Sequence, residues 1–591
     1  MLFSLLLAAG LQMAAAPDTL QAVTVVADRG MVVSRTDTVS LSPHQDAGSV
    51  LLRIPALYVG DYGSAAGLKS AGLRGFGSAH TAIYLDGVRV KNLQSGQADL
   101  GMLDFNDLSR VVADYAQNSL SFQTARPVFD RKAVTGSVRL SGGSFGSWQP
   151  YVKLAVKLNE HWSLSAHAGG LITQGNFLLP TGTFRINNDL KQFQAGADLF
   201  GTVKGGDFHA KIYYNGAERG TPGSLDWPSS DRQADRNFGA QAVLKKAFSP
   251  LYTLHLSGKF AHDKLLYLSE WGNTEYKQVE FQLNSAHTFH LKPWWDVSLA
   301  ADASLDALPL VYNHYRVGLL FAAATAFHTE RVKASLTLEY AFDADSFAGG
   351  GSWDRLSPSA DIRVTLTEGL DVVAFGRRAF RAPTFNELYY PGFGNALLKP
   401  EDAWLADMGL DWHRKMGAWT LKARADAFYH SLTNKIVSAP TVEDPSVWLP
   451  YNVGKAQALG TDVLASLGYD NGTWKSGFSV HYGWQKATDK STDQPLPYVA
   501  AHSLVLCFDA GWKGWTLETV WNLRAGRKDA AGDMPDWNTL DGSVGKVFNL
   551  GRAAAIALTL SGRNLLNYRY ETISGYPMPG RSFMAGISYR F

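Results

Sequence analysis

The chain has 591 residues, 46% hydrophobic, 18% charged and 12% aromatic, with 57 glycines. So little charge beside 17 Trp, 24 Tyr and 30 Phe excludes a disordered chain, and a net charge of +2 leaves no basic footprint for nucleic acid. The one cysteine, Cys507, excludes an intrachain disulfide and any multi-cysteine metal site, and no run past residue 16 approaches the ~20 apolar residues of a membrane helix.

Residues 2–16, LFSLLLAAGLQMAAA, are apolar and end in Ala14-Ala15-Ala16, the pattern of an export signal with a small-residue cleavage site. Leu2 follows Met1 directly, so the usual basic residues do not precede this core. Segment 17–30 holds Gln21-Ala22-Val23-Thr24-Val25-Val26, a β-prone run between polar flanks. In 46–58, Val50, Leu51 and Ile54 predict a short amphipathic helix halted by Pro55. A glycine-broken loop, Tyr58–Ala66, follows. Ala82-Ile83-Tyr84-Leu85 then alternates toward Asp86-Gly87, a pair favoured in two-residue turns, so Val88 and Val90 begin a returning strand. A second polar loop, Val90–Leu103, leads into DFNDLSRVV, which is helix-capable.

The words here are more specific than the pattern. GLRGFGSAHTAIYLDGVRV, residues 72–90, resembles the plug-domain signature of TonB-dependent outer-membrane transporters, of the form IRG-x-G … VLIDGVRV. The helix and Pro55 are similar to that family's entry to the plug. The family's next strand carries Arg-Gly-Pro and a double glycine, and this chain departs from it with Asp114–Ser119 and Pro127-Val128-Phe129. The resemblance implies a plug over 31–134 and makes Gln21–Val26 a Ton box, which adds itself as a strand to the sheet of periplasmic TonB.

From Thr135 to Phe591 the chain alternates. Trp162, Leu164, Ala166 and Ala168 share one face, as do Phe193, Ala195, Ala197 and Leu199, and finally Phe583, Ala585, Ile587, Tyr589 and Phe591. Period 2 with one apolar face, repeated for more than 400 residues, fits a membrane barrel with lipid outside and a polar lumen. Closure is required, because an open sheet edge in hydrocarbon leaves backbone groups unpaired. Trp294-Trp295, Tyr389-Tyr390 and Trp515 are expected in the interfacial girdles. A soluble propeller is the rival fold. Plugged transporters have about 22 strands, which allows ~21 residues each here; that number comes from the resemblance. FRAPTFNELY (380–389), YNVGKAQALGTD (451–462) and the terminus NLLNYRYETISGYPMPGRSFMAGISYRF (564–591) are similar to further family words. The expected architecture is thus an all-β transmembrane barrel of about 22 antiparallel strands, 135–591, around an N-terminal mixed α/β plug.

Several chemical motifs have simpler readings. Gly142–Gly146 spells G-x-S-x-G, but an alternating strand follows instead of the helix a nucleophile elbow needs, so a hairpin turn is expected. His161 with His167, and His287 with His290, lack a third ligand. Asp226, Asp231 and Asp235 read as a solvated acidic loop before a Ca²⁺ site. No catalytic set, metal or cofactor is expected.

The resemblance implies active import of a scarce, large solute, with TonB and outer-membrane lipid as partners, and leaves open a surface lipoprotein that hands over solute. It also places Arg74 and Arg89 opposite acidic barrel residues. The plug word, FRAPTFNELYYPGFGNALLKPEDAW and YETISGYPMPGRSF are most similar to the vitamin B12 branch. That implies corrinoid contacts at Tyr62, Gly63, Ser64 and Ala65, at Asn92, Leu93, Gln94, Ser95 and Gly96, and at the outer aromatics Trp271 and Tyr390. A ferric-siderophore or haem receptor is the alternative within the class; a passive porin, an adhesin and a barrel enzyme are alternatives outside it.

Overall fold

The computed structural model describes residues 35–591 except 42–46, 55–56, 64, 76, 130–131, 310–312, 346–350, 441–447, 530 and 552–553. The segments expected to be the export signal and the Ton box, Gln21–Val26, lie outside the described residues, as does Ser64.

Twenty-two long antiparallel strands close on themselves between Val134 and Arg590. Side chains alternate between two solvents. Phe193, Ile212 and Leu336 project outward to lipid, while Ser165, Asp198 and Asn284 are buried toward the lumen. The seam joins the first strand, Val134–Gly143, to the last, Ser582–Arg590, from Met584↔Gly143 to Arg590↔Ser137. Phe591 completes it: its N–H donates to the Gly136 carbonyl at 3.1 Å, and its own carbonyl accepts from Gly136 at 3.0 Å. No backbone edge is left along that junction. Turns at one end, such as 203–206 and 249–252, are short, whereas connections at the other, such as 173–190 and 381–401, are long. Short turns mark the periplasmic side.

The plug fills the lumen. Its main sheet has the order Thr36–Ser40, Leu108–Asp114, Ser119–Thr124, Ala82–Leu85, Val88–Val90. A separate hairpin pairs Leu57–Asp61 with Lys69–Leu73. Asp86 (φ 51°) and Gly87 (φ 86°) both take the left-handed conformation, which is what the tight turn between Leu85 and Val88 demands. Val50, Leu51 and Ile54, on and just after the helix Ala47–Leu51, are fully buried against Leu73, Leu100, Val111, Leu120 and Phe122.

Two expectations are corrected. DFNDLSRVV is not helical: a turn leads into the strand Leu108–Asp114. Val111 and Ala113 alternate into the core, and the strand is paired on both sides, which outweighs local helix propensity. Tyr389 and Tyr390 are not girdle residues. Thr384 caps the short helix Phe385–Tyr389 through a capping box, and Tyr389 packs beside Leu93, Leu308 and Phe385 while its hydroxyl donates to Asp345 at 2.6 Å. Trp294 and Trp295, by contrast, stack with Phe327 at a periplasmic turn. The G-x-S-x-G word is the turn between Val134–Gly143 and Ser147–Lys157, as its flanks predict.

Candidate functional site

The two sides of the plug meet the barrel differently. On one side the contact is ionic. Arg74 (φ 47°) and Gly75 (φ 76°) form a corner at the end of Lys69–Leu73 that throws the Arg74 guanidinium against the wall. A Cβ on Gly75 would stand 3.1 Å from Ala458 and 3.2 Å from Ala487, so this close approach requires glycine. Arg74 pairs with Asp407 and Asp426, donates from Nε to Asp462 at 3.0 Å, and lies 4.2 Å from the Tyr115 ring. Arg35 joins the same carboxylates, 2.6 Å from Asp426 and 3.1 Å from Asp411. Arg424, from the wall, grips Asp37 of the plug with two bonds of 2.7 Å, and Tyr115 donates to Asp37 at 2.6 Å. Burial pushes the Asp37 carboxyl up, but Arg424 outweighs it and holds the group well below the ordinary carboxylate range. Burial likewise works against charge on Arg74, and the Asp462, Asp407 and Asp426 carboxylates more than offset it.

On the other side a cavity of about 660 Å³ opens between the plug apices and the strands from Leu190–Val203 to Gly272–Lys292. Tyr62, Asn92, Gln94 and Ser95 line it from the plug. Nine Asn and Gln side chains border it, among them Gln194, Asn215, Gln233, Asn237 and Gln278 of the wall, with inward-facing Tyr213 and Tyr267. Six carboxylates and five Lys or Arg share the lining, and several are already paired. Arg219 takes Asp99 through both terminal nitrogens at 3.0 Å, lies 3.3 Å from Asp235, and donates to the Ala66 carbonyl at 3.1 Å, tying both apical loops to the wall. The space is therefore polar, amide-rich and close to charge-balanced.

The remaining predicted contacts have other settings. The Asn92 carboxamide oxygen accepts from the Gln94 and Ser95 amides at 3.0 Å and so braces its own loop. Leu93 is buried against Leu308 and Phe385, and its N–H donates to Gln278 at 2.7 Å; it anchors the loop and does not border the cavity. Gly96 packs on Thr384 and Gly63 on Pro577. Ala65 adjoins a small cluster with Ala66, Leu190 and Ala217. Trp271, 90% exposed, stands at the tip of the hairpin between Tyr252–Ser269 and Gly272–Lys292. The Tyr390 hydroxyl lies 3.2 Å from that of Tyr276. Arg74 meets acids as expected. The Arg89 side chain is exposed, with its charge near Glu280 and Asp343 of the wall, and its carbonyl accepts from Lys259 at 2.8 Å.

Asp107, His167 and Asp198 could in geometry hold a metal, a grouping the sequence does not announce because one member is in the plug and two are in the wall. The Lys211 ammonium lies 2.6 Å from Asp107 and 3.0 Å from Asp198, so a cation already occupies those carboxylates. Asp231 and Asp235 are likewise engaged, by Tyr267 and Arg219, and Asp235 is buried on the strand Arg232–Ser249, not set in a solvated loop.

Comparison with known proteins follows the same division. Residues 168–565 match the family described as TonB dependent receptor-like, beta-barrel, and residues 18–125 match the TonB-dependent Receptor Plug Domain. The chain is 23% identical over 585 residues to the vitamin B12 transporter BtuB of Vibrio vulnificus, covering 92% of this chain and 89% of that one. It is 24% identical to the corresponding Photobacterium profundum protein over the same shares. Among solved structures, the copper transporter OprC superposes with a TM-score of 0.77 at 14% identity, over 94% of this chain and 99% of the other. The FrpB iron transporter of Neisseria meningitidis gives 0.76 at 12%, over 95% and 100%. At such identities the structures speak to fold and not to cargo.

Proposed function

The chain belongs to the TonB-dependent receptor family, integral outer-membrane transporters that are not enzymes, and from that premise we propose that its cargo is cobalamin or another corrinoid. The observation that carries the reading is the chemistry of the cavity. Corrinoids are broad and edged with amide side chains, so they call for neutral donors and acceptors. Nine carboxamides, several tyrosines and a nearly balanced charge set supply them. A ferric catecholate is strongly anionic and calls for a surplus of Arg or Lys, whereas five cations here face six carboxylates. The B12 transporters among its relatives point the same way. The Ton box at Gln21–Val26, the apical contacts Tyr62, Asn92, Gln94 and Ser95, and Trp271 and Tyr390 in the outer connections belong to this proposal.

The test is calorimetry of the purified receptor with cyanocobalamin, haemin and ferric enterobactin. Nanomolar binding of cyanocobalamin, worth about −12 kcal/mol, is expected, with neither iron ligand competing. Tight binding of an iron ligand and none of cobalamin would overturn the corrinoid assignment and leave the transporter standing.

A further inference from the structure

The cavity does not stop at the plug apices. Its lining continues down one side of the plug to Asp104, Asp107 and Leu108 and, on the barrel, to His167 and Lys211. Both wall residues stand a few positions above the periplasmic turns that begin Trp162–Thr173 and Gly206–Gly220. A second marker fixes the depth. The Asp107 carbonyl accepts from the Ala125 N–H at 2.7 Å, and the next residue, Arg126, lies 3.9 Å from Asp207 beside the turn 203–206. The lower end of the cavity is therefore just above the periplasmic rim.

Its floor is ionic. Asp107 bridges two barrel lysines, Oδ1 to Lys153 and Oδ2 to Lys211, each at 2.6 Å. Lys211 also donates to Thr124 Oγ1 at 2.9 Å, and Asp86 holds Thr124 in place by accepting from its N–H at 2.7 Å and its hydroxyl at 2.6 Å. The Asp86-Gly87 turn of the plug signature thus braces the same bridge. Beside it, His167 lies between two plug carboxylates, Nε2 at 3.3 Å from Asp104 Oδ2 and Nδ1 at 3.5 Å from Asp107 Oδ1, without a well-formed hydrogen bond at Asp104 Oδ2 or His167 Nδ1 among the described residues. These looser contacts extend the charged floor from Lys153 and Lys211 to His167 and Asp104. Among the described residues the void beside Asp37, Tyr115 and Arg424, against the opposite wall, is only about 10 Å³.

We infer that solute leaves the cavity down the wall of strands Ser147–Lys157 to Gly272–Lys292, and that the Asp107–Lys153–Lys211 bridge is the gate closing this route at its periplasmic end. The gate is a barrier of charge. Once segment 104–107 shifts and water enters, the attraction across it falls steeply with rising dielectric, so it opens and recloses without repacking an apolar core. The inference rests on the transport function and not on the identity of the cargo.

Two measurements test it. The double variant Asp107→Ala/Lys211→Ala removes one charge of each sign and is compared with Asp37→Ala/Arg424→Ala on the opposite wall. The first should raise planar-bilayer conductance of the purified receptor above wild type, and the second should not; equal leakage, or leakage only in the second, would overturn the assignment. Should the first variant fail to reach the membrane, the paired cysteines Asp107→Cys and Lys211→Cys in a Cys507→Ser background can be tethered by a reducible bis-methanethiosulfonate. Tethering should reduce uptake of labelled cyanocobalamin to the level of cells lacking TonB, with surface binding retained and uptake restored by reductant. Undiminished uptake in the tethered protein would equally overturn the gate. If cyanocobalamin does not bind even the untethered protein, the cargo assignment alone fails, and the conductance comparison still decides the gate.

Discussion

Two walls of one lumen face the same plug, both through ion pairs, and only one of them leaves space between. The wall of strands Glu401–Met416, Trp419–Pro440 and Trp448–Asp470 presents Asp407, Asp411, Asp426 and Asp462 to Arg35 and Arg74, and Arg424 to Asp37. The wall of strands from Leu190–Val203 to Gly272–Lys292 stands back and leaves about 660 Å³ bordered by amides. The first grips the plug closely; the second ties it only at points such as Arg219–Asp99 and Lys211–Asp107 and leaves the cavity between them, where we propose the cargo sits. Charged contacts suit a plug that must shift under force, because water can replace an ion pair, whereas the apolar core under Phe122 and Leu120 has no such substitute.

The largest expected effect comes from removing the pull itself. Val25→Pro takes a backbone donor from the proposed Ton box and should break strand addition to TonB. Uptake of labelled cyanocobalamin should fall to the level of cells lacking TonB while surface binding persists; sustained uptake would mean that neither wall is worked by TonB.

Next is Arg74→Ala, which leaves Asp407, Asp426 and Asp462 crowded and buried without their shared cation. Breaking a buried ion pair from one side costs about 3–5 kcal/mol. Hydrogen exchange of plug amides should accelerate accordingly, and adding Asp462→Asn should recover part of the loss. On the cavity wall the same kind of truncation should spare the plug. Asn237→Ala is expected to weaken cyanocobalamin by about 0.5–1.5 kcal/mol, up to roughly tenfold, with plug exchange unchanged.

The smallest effect is a divergence with pH. Asp104, beside the cavity floor, is raised by burial and by its neighbour Asp107, whereas Asp37 on the clamp is lowered by Arg424 against the effect of burial. A raised carboxyl burdens the fold when ionised, and that burden is relieved as pH falls through its folded value toward its unfolded one near ~3.9. A lowered carboxyl stabilises above the unfolded value, and this contribution is lost as pH falls through its folded value. On acidification from neutrality, protection factors, which remove the intrinsic pH dependence of exchange, should therefore rise around 104–107 before they begin to fall around 36–40. Parallel changes in the two segments would dissolve the distinction.

What the sequence disclosed follows from the range of each interaction. Strand alternation is local, so the faces of Phe193–Leu199 and Phe583–Phe591 were readable, as was the Asp86-Gly87 turn. Arg74 stood out in its plug word, but its partners lie more than 330 positions away, and no local signal selects Asp407 or Asp426 among the lumen carboxylates. The apices Tyr62, Asn92, Gln94 and Ser95 were legible by resemblance. Asn215, Arg219 and Asn237 look like any polar residue of an alternating strand; which of them borders a cavity depends on where the plug stands back. Leu93 misled for the complementary reason: its loop is apical, yet the side chain turns into Leu308 and Phe385. DFNDLSRVV misled because pairing on both edges, unseen in the local sequence, outweighed its helix propensity.

The division of labour between the walls is tested most directly by an experimental structure of the receptor with cyanocobalamin bound. The corrin should lie among Tyr62, Asn92, Gln94 and the wall residues Asn215 and Asn237, with Arg74 still paired to Asp407, Asp426 and Asp462. A corrin seated instead against the strands 401–470, or one that displaces the Arg74 pairs, would contradict the account.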